Sequence, residues 1–135
     1  MNDTITWECD FCQEEILEDG WISVYSKDIR EYQARKKAWD KRISAKYAPD
    51  YTRPSVMPLT EYDDLPNLAH WHVGHLKCYP QPEPTSQYDI ETSRAKTAWA
   101  LLDWTSHLME KNWLKNTDWQ FFIRGVLNKN HQGNH

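Results

Sequence analysis

Two spaced pairs of residues constrain this chain more than any other feature. Cys9-x2-Cys12 lies in CDFC near the start, and His75-x2-Cys78 lies in WHVGHLKC. A two-residue spacer lets both side chains of a pair turn toward one point without strain. Two such pairs can then close a tetrahedral site from distant parts of a chain. The 62 residues between Cys12 and His75 (positions 13–74) oppose that closure only weakly, because loop entropy grows slowly with length.

The cysteine count supports the same reading. Three cysteines, two of them close together, are poor material for a disulfide framework. The acidic start MNDTITWECD lacks a basic-then-apolar leader. No apolar run approaches the roughly 20 residues of a membrane span. The expectation is therefore a cytoplasmic protein in a reducing compartment, where such cysteines bind metal more often than they form disulfides. Zn2+ fits a Cys3His set of Cys9, Cys12, His75 and Cys78. His75 is favoured by the spacing, with His72 as its rival. His72 and Trp71 are candidates for supporting contacts around the ligands. Four protein ligands leave no open position, so the site would be structural.

The patterning around these pairs predicts an α+β fold. GWISVYS alternates and reads as a strand, with Ile22 and Val24 on one face. Ser26 reads as a helix N-cap. Ile29, Tyr32, Trp39, Ile43 and Tyr47 recur at three- or four-residue steps interrupted only by Lys36, which predicts a helix from about Lys27 to Lys46. Pro49 ends it. Four prolines between positions 49 and 68 suggest an irregular connection. LAHWHV alternates again: Ala69, Trp71 and Val73 share one face, His70 and His72 the other. This second strand can pair with the first, and Tyr88–Glu91 reads as a short third. Helices are expected over Ser93–Trp113 and from Thr117, the latter opened by a Thr-x-x-Gln capping box. The arrangement predicted is one domain over 1–135. It has a zinc knuckle and small antiparallel sheet within 1–85, an inserted basic helix at 27–47, two helices within 86–128, and a disordered tail at 129–135.

CDFCQEEILEDGWISV carries Cys9, Cys12, Ile16, Gly20 and the strand residues Ile22–Val24, and Trp71, His75 and Cys78 follow later. In this order they resemble the poly(ADP-ribose) polymerase-type zinc finger, and LIM-type and other treble-clef fingers share parts of the layout. The resemblance covers residues 7–26 and 68–79 and implies the metal site. The gap between the pairs is about twice the family's, and Trp71 lies four residues before His75 rather than about two. The finger's recognition of DNA ends is therefore not implied.

Charge decides which partners are compatible. The net charge of −4 is segregated: −7 over residues 1–26, +5 over 27–53, −5 over 54–91 and +3 over 92–135. The basic block places Arg30, Arg35, Lys37, Lys41, Arg42 and Lys46 on the first helix as candidate phosphate or partner contacts. Eight tryptophans and seven tyrosines also suit a protein-docking surface. The chain has only four glycines and no phosphate-cradling loop, H-E-x-x-H or G-x-S-x-G motif, so no enzyme is expected. Two function classes follow: a zinc module that binds nucleic acid, or one that binds a protein, such as a phage or mobile-element accessory protein that inhibits a host protein. A treble-clef nuclease using His70, His72 and Asn67 is the third reading. Neither a membrane partner nor a particular oligomeric state is implied.

Overall fold

In the computed structural model the chain is described over residues 4–47 and 65–133. Three antiparallel strands form the sheet: β1 (Gly20–Tyr25), β2 (His72–His75) and β3 (Ser86–Glu91), in the order β2-β1-β3. Ile22 pairs with Val73 on one side and Ile90 on the other. Alternation puts these three residues on one face, where all are buried. Val24, Ala69 and Trp71 extend that face. Trp71 donates its indole N–H to Thr117 Oγ1 at 2.9 Å and meets Trp119 edge-on at 4.8 Å.

Among the described residues the α-helices are α1 (Ser26–Tyr47), between β1 and β2, and α2 (Ala98–Leu108) and α3 (Trp119–Gly133), after β3. The α+β class is as the pattern predicts. Ser26 is itself the first helical residue, and its hydroxyl donates to Gln87 Oε1 at 3.0 Å. Among the described side chains of α1, Ile29 alone joins the core, through the first turn. Tyr32, Lys36, Trp39 and Ile43 continue the stripe as half-buried residues. Lys36, which interrupts the apolar series, reaches Asp40 at 2.5 Å and lies over the Trp39 ring. The proline-rich connection lies almost wholly outside the described residues.

The second helix is shorter than its pattern predicts. A 3-10 turn over Thr92–Arg94 precedes it, and Ala95 breaks the path before the helix starts. Thr97 then caps the helix by accepting from Ala100 N–H at 3.0 Å. Leu101 and Leu108 are the buried residues of α2, while Trp99, Leu102 and Met109 face solvent. The helix therefore packs inward through its Leu101–Leu108 side and not through the side of Trp99, Leu102 and Met109, which their spacing marks as apolar. The third helix runs to Gly133, so residues 129–133 are helical rather than a loose tail. Asn130 exchanges hydrogen bonds with the backbone of Thr6, and Lys129 pairs with Glu8.

An extended segment between positions 4 and 16 ties these layers together. Ile5, Trp7 and Cys9 are buried and alternate with exposed Thr4, Thr6 and Glu8. Ile5 N–H donates to Lys96 O at 2.6 Å, and the Trp7 indole donates to Ala95 O at 2.8 Å. Trp7 also stacks on Phe122 of α3 at 6.0 Å. The buried residues of this segment, the sheet and the helices form one continuous core.

Candidate metal centre

The cysteine knuckle is a tight turn held from three sides. Gln13 N–H donates to Cys9 O and Cys9 N–H donates to Glu14 O, both at 2.9 Å. Gln13 takes the left-handed conformation (φ 64°) that lets the chain reverse so sharply. Asp10 docks the turn on β2 twice: its N–H donates to Val73 O at 2.8 Å, and its Oδ2 accepts from Val73 N–H at 2.9 Å. Ile16 and Trp7, both buried, anchor the two ends. Gly74 lies under Phe11, where a Cβ would come within 2.7 Å of the ring.

This docking brings Cys9 and Cys12 against the end of β2. His75 closes the strand, and a 3-10 turn over Leu76–Cys78 swings Cys78 back toward it. The donor atoms of Cys9, Cys12, His75 and Cys78 all lie within 4.8 Å of one another. His75 Nδ1 is 3.5 Å from Cys12 Sγ and 3.8 Å from Cys78 Sγ. A tetrahedral ion with bonds of about 2.3 Å to sulfur and 2.0 Å to nitrogen sets an S–N edge of about 3.6 Å. The four side chains therefore fit a metal ion of that size with little movement. His75 Nε2 lies 3.3 Å from Glu15 O, which can accept its N–H. That contact fixes the ring and leaves Nδ1 as the nitrogen that faces the thiols.

Electrostatics favour a cation here. Burial pushes the Cys9 thiol up, but backbone N–H groups of Cys12, His75 and Phe11 outweigh it and hold Cys9 down at about 6. Phe11 N–H is 3.4 Å from the sulfur. Burial and the neighbouring thiols of Cys12 and Cys9 push Cys78 up to about 11. Crowded thiolates repel one another, and a bound cation relieves that repulsion. With four protein donors, such an ion has no vacant position for a substrate.

The structure thus gathers all four spacing-predicted ligands, with His75 rather than His72 among them. Trp71 packs in the core below. His72 lies between the rings of Phe11 (6.4 Å) and Tyr25 (5.4 Å). The contact on the far nitrogen of His75 comes from Glu15 O, a backbone group with no sequence signature. His70 and His72 form a separate group with Asp10, and sequence reasoning overlooked that aspartate because it sits inside the Cys9-x2-Cys12 spacer. Arg30, Arg35, Lys37, Lys41, Arg42 and Lys46 are all exposed on α1, away from the buried core. Asn67 is exposed. Among the described residues no helix is long and apolar enough to cross a membrane.

No protein-family model matches the chain, and no curated protein or solved structure matches it. Fold and site define it by themselves: a small α+β protein built around a Cys3His group able to hold a metal ion.

Proposed function

We propose that the Cys3His group holds Zn2+ as a structural staple and that the protein works by binding a nucleic acid through α1. A knuckle followed by the β1–β2 pair is similar to the treble-clef arrangement of poly(ADP-ribose) polymerase-type fingers, which supports zinc and a non-catalytic role for this centre. The observation that carries the partner class is the character of α1. Eight bases stand against three acids over its 22 residues, and no residue between positions 30 and 46 is buried. At 1.5 Å per residue the helix is about 33 Å long, the reach of a full turn of duplex.

Arg30, Lys37 and Lys41 recur at i, i+7 and i+11, on the side opposite Tyr32 and Trp39. Arg35, Arg42 and Lys46 border the other flank. Three phosphate contacts would give a log–log salt slope of about −2.7, and six about −5. The test is fluorescence anisotropy with labelled duplex and single-stranded DNA and RNA across salt concentrations. Binding at low salt is expected, with the slope reduced by roughly 2 in the Lys37→Glu, Lys41→Glu double variant. A zinc-loaded protein that shifts no nucleic acid at low salt sinks this reading.

One observation favours a protein partner as the second reading. Trp99, Leu102 and Met109 stand 72%, 67% and 72% exposed on one side of α2, and exposed aromatic and apolar groups mark protein contacts. Affinity capture from the native cell, repeated with Trp99→Ala and Leu102→Ser, would return a specific partner only with the unaltered surface.

A further inference from the structure

Two of the histidines outside the Cys3His group, His70 and His72, lie beside acidic side chains. His70 and His72 project from the same side of the chain entering β2, and their rings meet edge-to-face with centroids 4.7 Å apart. One carboxylate oxygen of Asp10 and one nitrogen from each ring lie within 4.8 Å of one another. Each member is held in place. Asp10 is fixed by its double contact with Val73. His72 is wedged between Phe11 and Tyr25. Asp118 accepts from Trp71 N–H at 2.9 Å through Oδ1, while its Oδ2 lies 2.5 Å from His70 Nδ1. Asp118 in turn is pinned by its own N–H, which donates to Ala69 O at 2.9 Å.

That last arrangement is the carboxylate–histidine pairing that orients metal-bound imidazoles. The carboxylate takes the proton on one ring nitrogen, fixes the tautomer, and leaves the other nitrogen free and more basic. In His70 the free nitrogen is Nε2. Two imidazoles and a carboxylate suit a borderline divalent transition-metal ion and discriminate against Mg2+ and Ca2+, which prefer all-oxygen shells. Three protein ligands leave at least one position open, in contrast to the closed Cys3His set.

We propose that Asp10, His70 and His72 form a second binding site for a divalent transition-metal ion of the zinc class, with Asp118 positioning His70. The site keeps a coordination position for water or an anionic oxygen ligand. It shares the knuckle with the Cys3His group, because Asp10 lies between Cys9 and Cys12. The proposal does not depend on whether α1 contacts a nucleic acid.

Cobalt separates the two sites. Metal-free protein is titrated anaerobically with Co2+. The first equivalent should produce thiolate-to-cobalt charge-transfer absorption, which reports Cys3His loading. A second equivalent should then bind without adding to that band. After equilibrium dialysis, plasma mass spectrometry should count two ions per chain in the unaltered protein. His70→Ala and His72→Ala should each hold one, with the charge-transfer band and circular dichroism unchanged. Both histidines are at least partly exposed, so these variants keep their fold. Asp118→Asn, which keeps an acceptor for Trp71, should weaken the second ion roughly 10- to 100-fold and leave the first unaffected. A count of one ion in the unaltered protein overturns the proposal. So does a second ion that survives in the His70→Ala, His72→Ala double variant.

Discussion

Alanine at three of the chain's glycines should give three different outcomes, each read from the surroundings of a single added methyl. At Gly20 a Cβ would sit 2.4 Å from Ile16 Cγ2 and 2.8 Å from Thr92 Oγ1, where ordinary contact begins at 3.4 Å. The shortfalls are 1.0 and 0.6 Å (3.4 − 2.4 and 3.4 − 2.8). Ile16 and Thr92 are both buried, and Ile16 anchors the end of the cysteine knuckle. Overpacking a rigid core costs about 1–3 kcal/mol. The loss of unfolded-chain freedom returns only about 0.4–1 kcal/mol. Taking the middle of each range, Gly20→Ala should therefore destabilise by about 1.3 kcal/mol. At Gly74 the obstacle is the Phe11 ring, at 2.7 and 2.8 Å, but Phe11 is exposed and can swing outward. The loss there is its tilted contact with Tyr79 at 4.9 Å, worth about 0.5–1.5 kcal/mol. At Gly125, on the exposed side of α3, nothing lies within 4 Å, and alanine should stabilise by about 0.5–1 kcal/mol. Urea unfolding at fixed free zinc is the assay. With a slope of about 2 kcal/mol per molar, Gly20→Ala lowers the midpoint by about 0.7 M and Gly125→Ala raises it by a few tenths. Equal midpoints for the Gly20 and Gly125 variants would refute the packing argument.

Other outcomes can be checked separately. Leu108 is fully buried, so Leu108→Ala should cost about 2–5 kcal/mol in the same urea assay, against under about 0.5 for Leu102→Ala on the exposed side. In NMR titrations with the Cys3His site loaded and no second ion, His70 should titrate above the ordinary histidine value, chiefly through its bond with Asp118 and despite burial. His72 should titrate below it, because of burial and then the His70 charge, while Asp10, Asp28 and Asp118 pull the other way. A raised folded pKa means that the His70–Asp118 pair stabilises fully below about pH 6.5 and ceases to as pH rises through the folded value. Asp118→Asn should flatten that dependence. Chelating the metal, or Cys12→Ser, should abolish native near-UV circular dichroism and helical signal in one transition.

The metal group was legible because it depends on residue type and spacing alone, and two x2 turns need little else. The alternation Ala69–Trp71–Val73 against His70–His72 was legible for the same reason, since a strand's faces are fixed by parity. Helix α2 was not. Its sequence is apolar nearly all round, so periodicity offers two faces, and only packing selects Leu101 and Leu108 over Trp99 and Leu102. Its start was hidden too. Thr97 competes for the helix terminus with four preceding residues of equal helical pattern, and the Thr97–Ala100 cap decides. The segment before the knuckle alternates Ile5, Trp7 and Cys9, but it makes only isolated bridges to Thr97 and within Glu8–Glu15. Without a ladder partner nearby in sequence, that alternation carries no signal of the elements it joins. Asp118 read as part of a helix start, and nothing local shows that it reaches back 48 positions to His70.

That same segment explains why metal loss should unfold the whole chain rather than its first half. Structural zinc in small fingers contributes about 10–16 kcal/mol, comparable to an entire domain's stability of about 5–15 kcal/mol. The ligands are not confined to a lobe of their own. Cys9 belongs to the single buried core that also contains Trp71, Leu108 and Trp119. Two residues before it, Trp7 bonds to Ala95 and stacks on α3. Asp10 holds β2, and β2 is held to the turn before α3 through Ala69 and Asp118. Releasing the knuckle frees Asp10 from Val73 and uncovers the Trp7 contacts together. No boundary remains at which the sheet could separate from α2 and α3 without exposing buried tryptophan. Coincident loss of Trp119 burial, sheet and helix signal on chelation follows from that connectivity, and a helical part that outlives the metal would contradict it.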